Sequence, residues 1–260
     1  MKRITFLLTM LLILLSGSVF SQTIEDYLAK GDSLYKIFDN EGALKVFTEA
    51  DTKYPENWEI FWRLSRTYTD IGEHMPISTS EQEDAQLATY EKAVKYADEA
   101  IKLAPDKSIV WLRRAVANGR IALFKGVFSV GAVVDQVRDD VTKAIKLGNG
   151  GSEVQGVAHY VLGRTHDKIS DKWSVARAAL GLGWADYDSA MVHYAKAVKL
   201  YPNFMMTYLE YGKAYMEEDE WDKAKEMLTT AIKCPIIDED DEARIVEAKD
   251  LLKEVEEELN

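Results

Sequence analysis

Residues 27–55 read YLAKGDSLYKIFDNEGALKVFTEADTKYP, and the spacing inside this stretch decides the fold. Tyr27, Gly31 and Leu34 fall on one helical face, Ala43, Phe47 and Ala50 fall on a second, and Pro55 closes the unit. A bulky, a small and a bulky residue on one helix, then Ala, an aromatic, Ala and Pro on the next, is the tetratricopeptide pattern. The small residues let two antiparallel helices approach closely, and the large ones fill the gap to a neighbouring pair. One pair alone cannot bury its apolar face, so the pattern calls for a stack.

The pattern returns along the chain. Phe61 follows Tyr27 by 34 residues and continues through Leu64, Ser65 and Tyr68 to Ala93, Ala97, Ala100 and Pro105, with 16 extra residues between the halves. Ser80 and Glu83 form a capping box, which predicts a loop around Pro76 and a lengthened helix reaching about Leu103. A third unit runs from Trp111 and Ala115 to Val137, Val141 and Ala144, with the apolar stretch 121–134 read as a long helical corner. A fourth carries Leu162, Gly163 and His166, an insertion, then Ala190, Tyr194, Ala197 and Pro202. The fifth runs Tyr208, Tyr211, Gly212, Tyr215, Ala224, Leu228, Ala231 and Pro235. Residues 238–260 predict a capping helix, apolar at Ile245, Ala248, Leu251, Leu252 and Val255 and charged elsewhere.

The expected fold is therefore all-α: a tetratricopeptide-like α-solenoid of about five helix pairs, one domain over residues 22–260. Repeats lie near 24–56, 57–106, 107–149, 152–203 and 204–236, with insertions in the middle ones. The packing positions are Gly31, Ala43, Ala50, Ala93, Ala100, Ala115, Gly163, Ala190, Ala197, Gly212, Ala224 and Ala231.

Ahead of the array, Lys2 and Arg3 precede an apolar run from Ile4 to Leu15, then Ser16, Gly17 and Ser18. That layout predicts a signal peptide over residues 1–21, cleaved after Ser21, because spanning a bilayer takes about 20 apolar residues. Export to the periplasm is the expected location, with secretion as the lesser option, and no stable membrane insertion after cleavage. The chain carries a net charge of −12, which becomes more acidic once Lys2 and Arg3 are removed. Such a field repels phosphate backbones, so nucleic acid is not an expected partner. The lone Cys234 cannot form an intramolecular disulfide, and the role of a buried small apolar residue is expected of it.

No Gly-x-Ser-x-Gly turn, phosphate loop or His-Glu-x-x-His pair is present, so no enzyme, cofactor or metal is expected. His159 and His166 stand two turns apart and are read as packing residues. The acidic run Asp238–Glu242 lacks the glycine and glutamate of a calcium loop, having Ala243 and Lys249 in their places, and is read as helix-start acids. Partner-binding candidates are Trp62, Arg63 and Arg66 on one predicted helix, whose default role is internal pairing with carboxylates, and Arg164. To these are added Trp173, Arg177 and Trp184 in the apolar insertion 173–184, whose default is self-burial.

Trp62-Arg63-Leu64-Ser65-Arg66 with Tyr68, Leu162-Gly163-Arg164 followed by Trp173, the helix from Ala190 to Pro202 and the closing acidic helix together resemble the regulator of microtubule dynamics family. The resemblance covers nearly the whole mature chain. It implies a helical repeat domain acting through protein contacts, without cofactor or turnover; animal members look like membrane-tethered adaptors associated with microtubules. The chain departs from them in its cleavable leader and in having Thr165 and His166 where the family usually places aromatic residues. Three readings follow: an envelope adaptor binding a protein or peptide through the concave face, a carrier of a small apolar or lipid-like ligand under the 173–184 loop, and a microtubule-binding adaptor by family analogy. An exported protein would not meet tubulin, so the first carries over the adaptor role without that partner.

Overall fold

The computed structural model describes residues 22–126, 129–170 and 174–260. Among the described residues twelve helices account for the ordered backbone, and no strand occurs. They are α1 (Ile24–Lys36), α2 (Asn40–Lys53), α3 (Trp58–Glu73), α4 (Ser80–Leu103), α5 (Ser108–Lys125), α6 (Gly131–Leu147), α7 (Gly151–Ser170), α8 (Ser174–Ala179), α9 (Tyr187–Leu200), α10 (Met205–Glu217), α11 (Trp221–Lys233) and α12 (Asp241–Glu258). The expected all-α solenoid is the fold the chain adopts.

Short polar residues set where helices begin. Thr23, Asp39, Asn57, Thr79 and Asp186 each accept a backbone N–H from the first turn of α1, α2, α3, α4 and α9, satisfying donors that have no intrahelical partner. The expected box on Ser80 and Glu83 lies one residue upstream. Thr79 is extended (φ −136) and caps Gln82, whose side chain returns the bond, because Thr-x-x-Gln satisfies both orphan amides reciprocally.

The helices pair antiparallel as α1/α2, α3/α4, α5/α6, α7/α9 and α10/α11, with α8 inserted in the fourth pair and α12 covering the last. The alanines at the packing positions are buried without exception, as are Gly31, Gly163 and Gly212. Around them the first core gathers Tyr27, Phe47, Ile60 and Leu64, and the last gathers Met205, Leu209, Leu228, Ala248 and Val255.

Two expectations change. The helical corner over 121–134 is broken: α5 stops at Lys125, Gly126 takes φ 81 where a side chain would be strained, and α6 restarts at Gly131. The capping helix starts at Asp241 instead of 238, because the Asp241 carboxylate accepts the N–H groups of Ile237 and Asp238 and folds that segment into a turn. Arg244 ties the turn down, reaching Asp238, Asp240 and Asp241.

That turn closes the array. Asn40 Nδ2 donates to Glu239 Oε2 at 2.9 Å, and His74 Nε2 lies 3.0 Å from Asp240 Oδ1, so the far end of the solenoid meets its beginning. The superhelix becomes a ring. Among the described residues no helix is long and apolar enough to cross a membrane; residues 1–21, expected to form a signal peptide, lie outside them.

Candidate functional site

Closure of the ring leaves a chamber of about 420 Å³ at its centre. Its wall comes mainly from the first helix of each pair, α1, α3, α5, α7 and α10, with Val134 and Val137 of α6, Tyr201 and Phe204 between α9 and α10, and Ile237 and Asp238 of the closing turn. First helices face inward because the alanine-rich second helices pack on their outer side.

Five cations line the chamber: Arg66, Arg113, Arg120, Arg164 and Lys168. Four acids share the wall, Asp70, Glu73, Glu153 and Asp238, so within a chain of net charge −12 the chamber is close to balanced. Arg120 is neutralised by Glu73 at 2.6 Å, and Lys168 lies 3.2 Å from Asp167 and 3.5 Å from Glu210. Arg66 Nη2 reaches Asp32 at 2.9 Å, while its guanidinium stacks 3.5 Å from the Tyr35 ring. Burial alone would raise the Asp32 carboxyl, but Arg63 and Arg66 hold it below its ordinary range.

The remaining donors are what set this chamber apart. The Nε atoms of Arg66, Arg113 and Arg164 and the hydroxyl of Tyr160 are buried without a hydrogen-bond partner. Arg164 Nε stands 3.5 Å from Glu210 Oε2, close enough for Coulomb attraction but without hydrogen-bond geometry. Burial depresses the basicity of Arg113 and pushes the Tyr160 phenol up to about 12. Burial likewise raises the acids of the wall, Asp70 against its Tyr35 hydrogen bond and Glu73 against Arg120. Donors in a low-dielectric enclosure favour an acceptor that arrives with negative charge. The rest of the wall is apolar, from Leu112, Val116, Val157 and Phe204. An anionic group carried on an apolar body fits both parts.

Tyr160 is 4% exposed and its hydroxyl makes no bond within the protein. Tyr160→Phe is therefore expected to leave the melting temperature of the empty protein within about 2 °C, because no hydrogen bond is lost. A fall of several degrees would show that the hydroxyl has an internal role.

Of the residues singled out from sequence, Trp62, Arg66 and Arg164 line the chamber. Trp62 serves as a platform, with Arg63, Arg66 and Arg113 at 4.3, 5.1 and 5.8 Å from its ring. Arg63 does not line it; it pairs with Asp32 at 2.8 Å and with Glu59 at 3.4 Å. Arg177 donates to the Ala185 carbonyl at 2.6 Å and closes the insertion on itself. Trp184 donates to Asp135 at 3.0 Å and packs with Leu182 over Ala122, Val134 and Ile169. Trp173 lies outside the described residues. No described residue of the insertion lines the chamber. The insertion buries Leu182 fully but leaves Val175 64% exposed.

Sequence reasoning missed Arg113, Arg120, Tyr160 and Lys168. Their signal was available: Arg113, Val116 and Arg120 repeat at three and four residues on a first helix, the inward stripe. It also missed the neighbour of His159. His159 Nδ1 lies 2.8 Å from His193 Nδ1, and burial with His159 and His166 nearby drives His193 down to about 4. Among the described residues no group of three or more His, Cys, Asp or Glu side chains could hold a metal ion.

Compared with known proteins, residues 27–256 match the family model described as regulator of microtubule dynamics protein 1-3. Regulator of microtubule dynamics protein 1 of Bos taurus is 25% identical over 236 residues, covering 88% of this chain and 71% of that one. Among solved structures, the tetratricopeptide-repeat protein TTC0263 of Thermus thermophilus superposes with a TM-score of 0.58 at 15% identity, over 87% of this chain and 98% of the other. Yeast Tom70 gives 0.56 at 15% identity, over 90% of this chain and 40% of Tom70. These two likenesses concern the fold.

Proposed function

Since the chain belongs to the regulator of microtubule dynamics family, we propose that it is a non-enzymatic adaptor of the cell envelope whose ring holds an acidic, apolar-flanked segment of a partner protein. The observation that carries this reading is that Arg66, Arg113 and Arg164, each with a buried Nε that has no hydrogen-bond partner, stand together in the wall of the central chamber. Envelope location draws its support from the leader-like residues 1–21. The microtubule role in the relatives' names stays with those proteins, because an exported chain would not meet tubulin.

The test is crosslinking in cells followed by affinity capture, comparing the native domain with Arg113→Met and with Arg113→Met/Arg164→Met. A buried arginine at the centre of an interface carries about 2 kcal/mol or more. Capture of the partner is therefore expected to fall about 30-fold with the first variant and further with the second. Equal recovery by all three proteins would remove the chamber from the reading.

One observation favours a second reading, a carrier of a small anionic amphiphile. The closed ring surrounds a volume within the range of small-molecule sites, roughly 300–1,000 Å³. Native mass spectrometry of protein purified without detergent separates the two: a bound mass that disappears in Arg113→Met supports a carrier, and a clean apo mass excludes it.

A further inference from the structure

Each first helix carries a small buried residue at the repeat's packing point: Gly31, Ser65, Ala115, Gly163 and Gly212. The residue that follows holds the same place in every repeat, and around the ring these residues are Asp32, Arg66, Val116, Arg164 and Lys213. Arg66 on α3 and Arg164 on α7 are thus level with each other. Helix α5 stands between their helices, with Val116 at that level. Two guanidiniums of the chamber wall are separated by an apolar step.

A second donor accompanies each of them. Arg113, on the side of α5 that meets α3, lies 5.8 Å from the Trp62 ring, and Arg66 lies 5.1 Å from the same ring. Tyr160 precedes Arg164 by one turn on the same face of α7, the side that meets α10, where Glu210 stands 3.5 Å from Arg164. Between the two sets run Leu112 and Val116 of α5 and Val157 and Val161 of α7, where these helices pack on each other.

The two sets are alike in what they lack. Charge is nearly balanced at each: Asp32 and Asp70 accompany Arg66 and Arg113, and Glu210, shared with Lys168 and Lys213, accompanies Arg164. Hydrogen bonding is not balanced. The Nε atoms of Arg66, Arg113 and Arg164 and the Tyr160 hydroxyl are buried and unpartnered, which leaves donors on both sides of the apolar step. An ionised carboxylate only accepts, and it takes a bond from a guanidinium more strongly than a neutral oxygen does. We propose that the chamber binds a two-headed acid, with one carboxylate at Arg66 and Arg113, the other at Arg164 and Tyr160, and an apolar stretch lying across Val116 between them. A ligand with a single acid group satisfies one set and leaves the other without acceptors.

The inference rests on the chamber being the binding site and adds the requirement for two ends. A partner segment with acids on either side of apolar residues and a free α,ω-dicarboxylic acid share this chemistry, so both are tried. Isothermal titration calorimetry on the protein purified without detergent uses straight-chain α,ω-diacids of increasing length, each against the monoacid of equal length. A parallel series uses capped peptides with two glutamates separated by a variable number of leucines, each against the version with one glutamate replaced by glutamine. At one optimal length the two-headed member is expected to bind at least about tenfold more tightly than its single-headed counterpart, and the series in which this happens identifies the source.

Arg113→Met and Arg164→Met are each expected to abolish that advantage while changing the affinity of the single-headed ligand far less, because it retains the other set. A variant that merely disturbs the fold weakens both ligands alike. Should either arginine variant fail to fold, Tyr160→Phe removes one donor of the second set with no bond lost inside the protein, and is expected to narrow the advantage several-fold. Equal affinity for two-headed and single-headed ligands overturns this inference and leaves the chamber as a site for one acid group. Diamides that bind as tightly as the diacids overturn it as well, since shape then suffices without charge. Failure of every member of both series to bind overturns the inference together with the chamber reading.

Discussion

Replacing Arg114 with leucine is expected to cost about 3–5 kcal/mol and to lower the melting temperature by roughly 10 °C. Arg114 grips Asp140 with two parallel bonds of 2.7 Å and reaches Asp98 with a third of 2.8 Å, stitching α5 to α6 and to α4. The Asp140 side chain is 1% exposed, so removal of the guanidinium leaves a carboxylate in the core with the Gln136 amide as its remaining donor. Taking both charges away is a different experiment. Arg114→Leu/Asp140→Leu buries apolar surface in place of the pair and is expected to recover most of the loss, because the penalty belongs to the orphaned charge more than to the missing bridge. Thermal melts of the two variants decide it. A single variant within about 1 kcal/mol of the native protein would mean that water or a local shift relieves Asp140.

The second large effect comes from one kind of change made at two glycines. At Gly156, on α7, a Cβ would stand 2.6 Å from Tyr201 Cβ and 3.2 Å from the Tyr201 backbone nitrogen, and the backbone side of that contact cannot rotate away. Gly156→Ala is expected to lose about 2 kcal/mol, overpacking outweighing the gain of about 1 kcal/mol that alanine brings to a helix. At Gly119 a Cβ meets nothing, so Gly119→Ala is expected to keep that gain, about 0.5–1 kcal/mol. Urea unfolding of both variants reads the difference. Equal effects at the two positions would deny that α7 and α9 touch backbone to backbone there.

The packing positions were readable because they serve local rules. Gly31, Ala43 and Ala50 recur at fixed offsets, and each offset maps onto one helix face. The chamber was half readable. Trp62, Arg66 and Arg164 stand out as polar or aromatic residues that the repeat does not require, whereas Arg113 hides beside Arg114 and only depth in the fold separates the inward one from the one that staples helices. The insertion was readable as self-burying but not in its destination. Its tryptophans and leucines indicate burial, but no local signal says against which surface, and Leu182 and Trp184 settle on α6 and α7. The closure of the ring was out of reach of any periodicity. Asn40 and Glu239 are 199 residues apart, and their meeting depends on the accumulated twist of every pair between them.

That meeting also fixes how such an array can change its size. An open stack gains or loses a pair with little consequence, since each unit touches only its neighbours. Here an added or deleted pair would rotate Glu239 away from Asn40 and leave the two ends facing different directions. Growth is therefore confined to places that leave the twist untouched, such as the lengthened α4 and the α8 excursion, and the number of units is set by circumference.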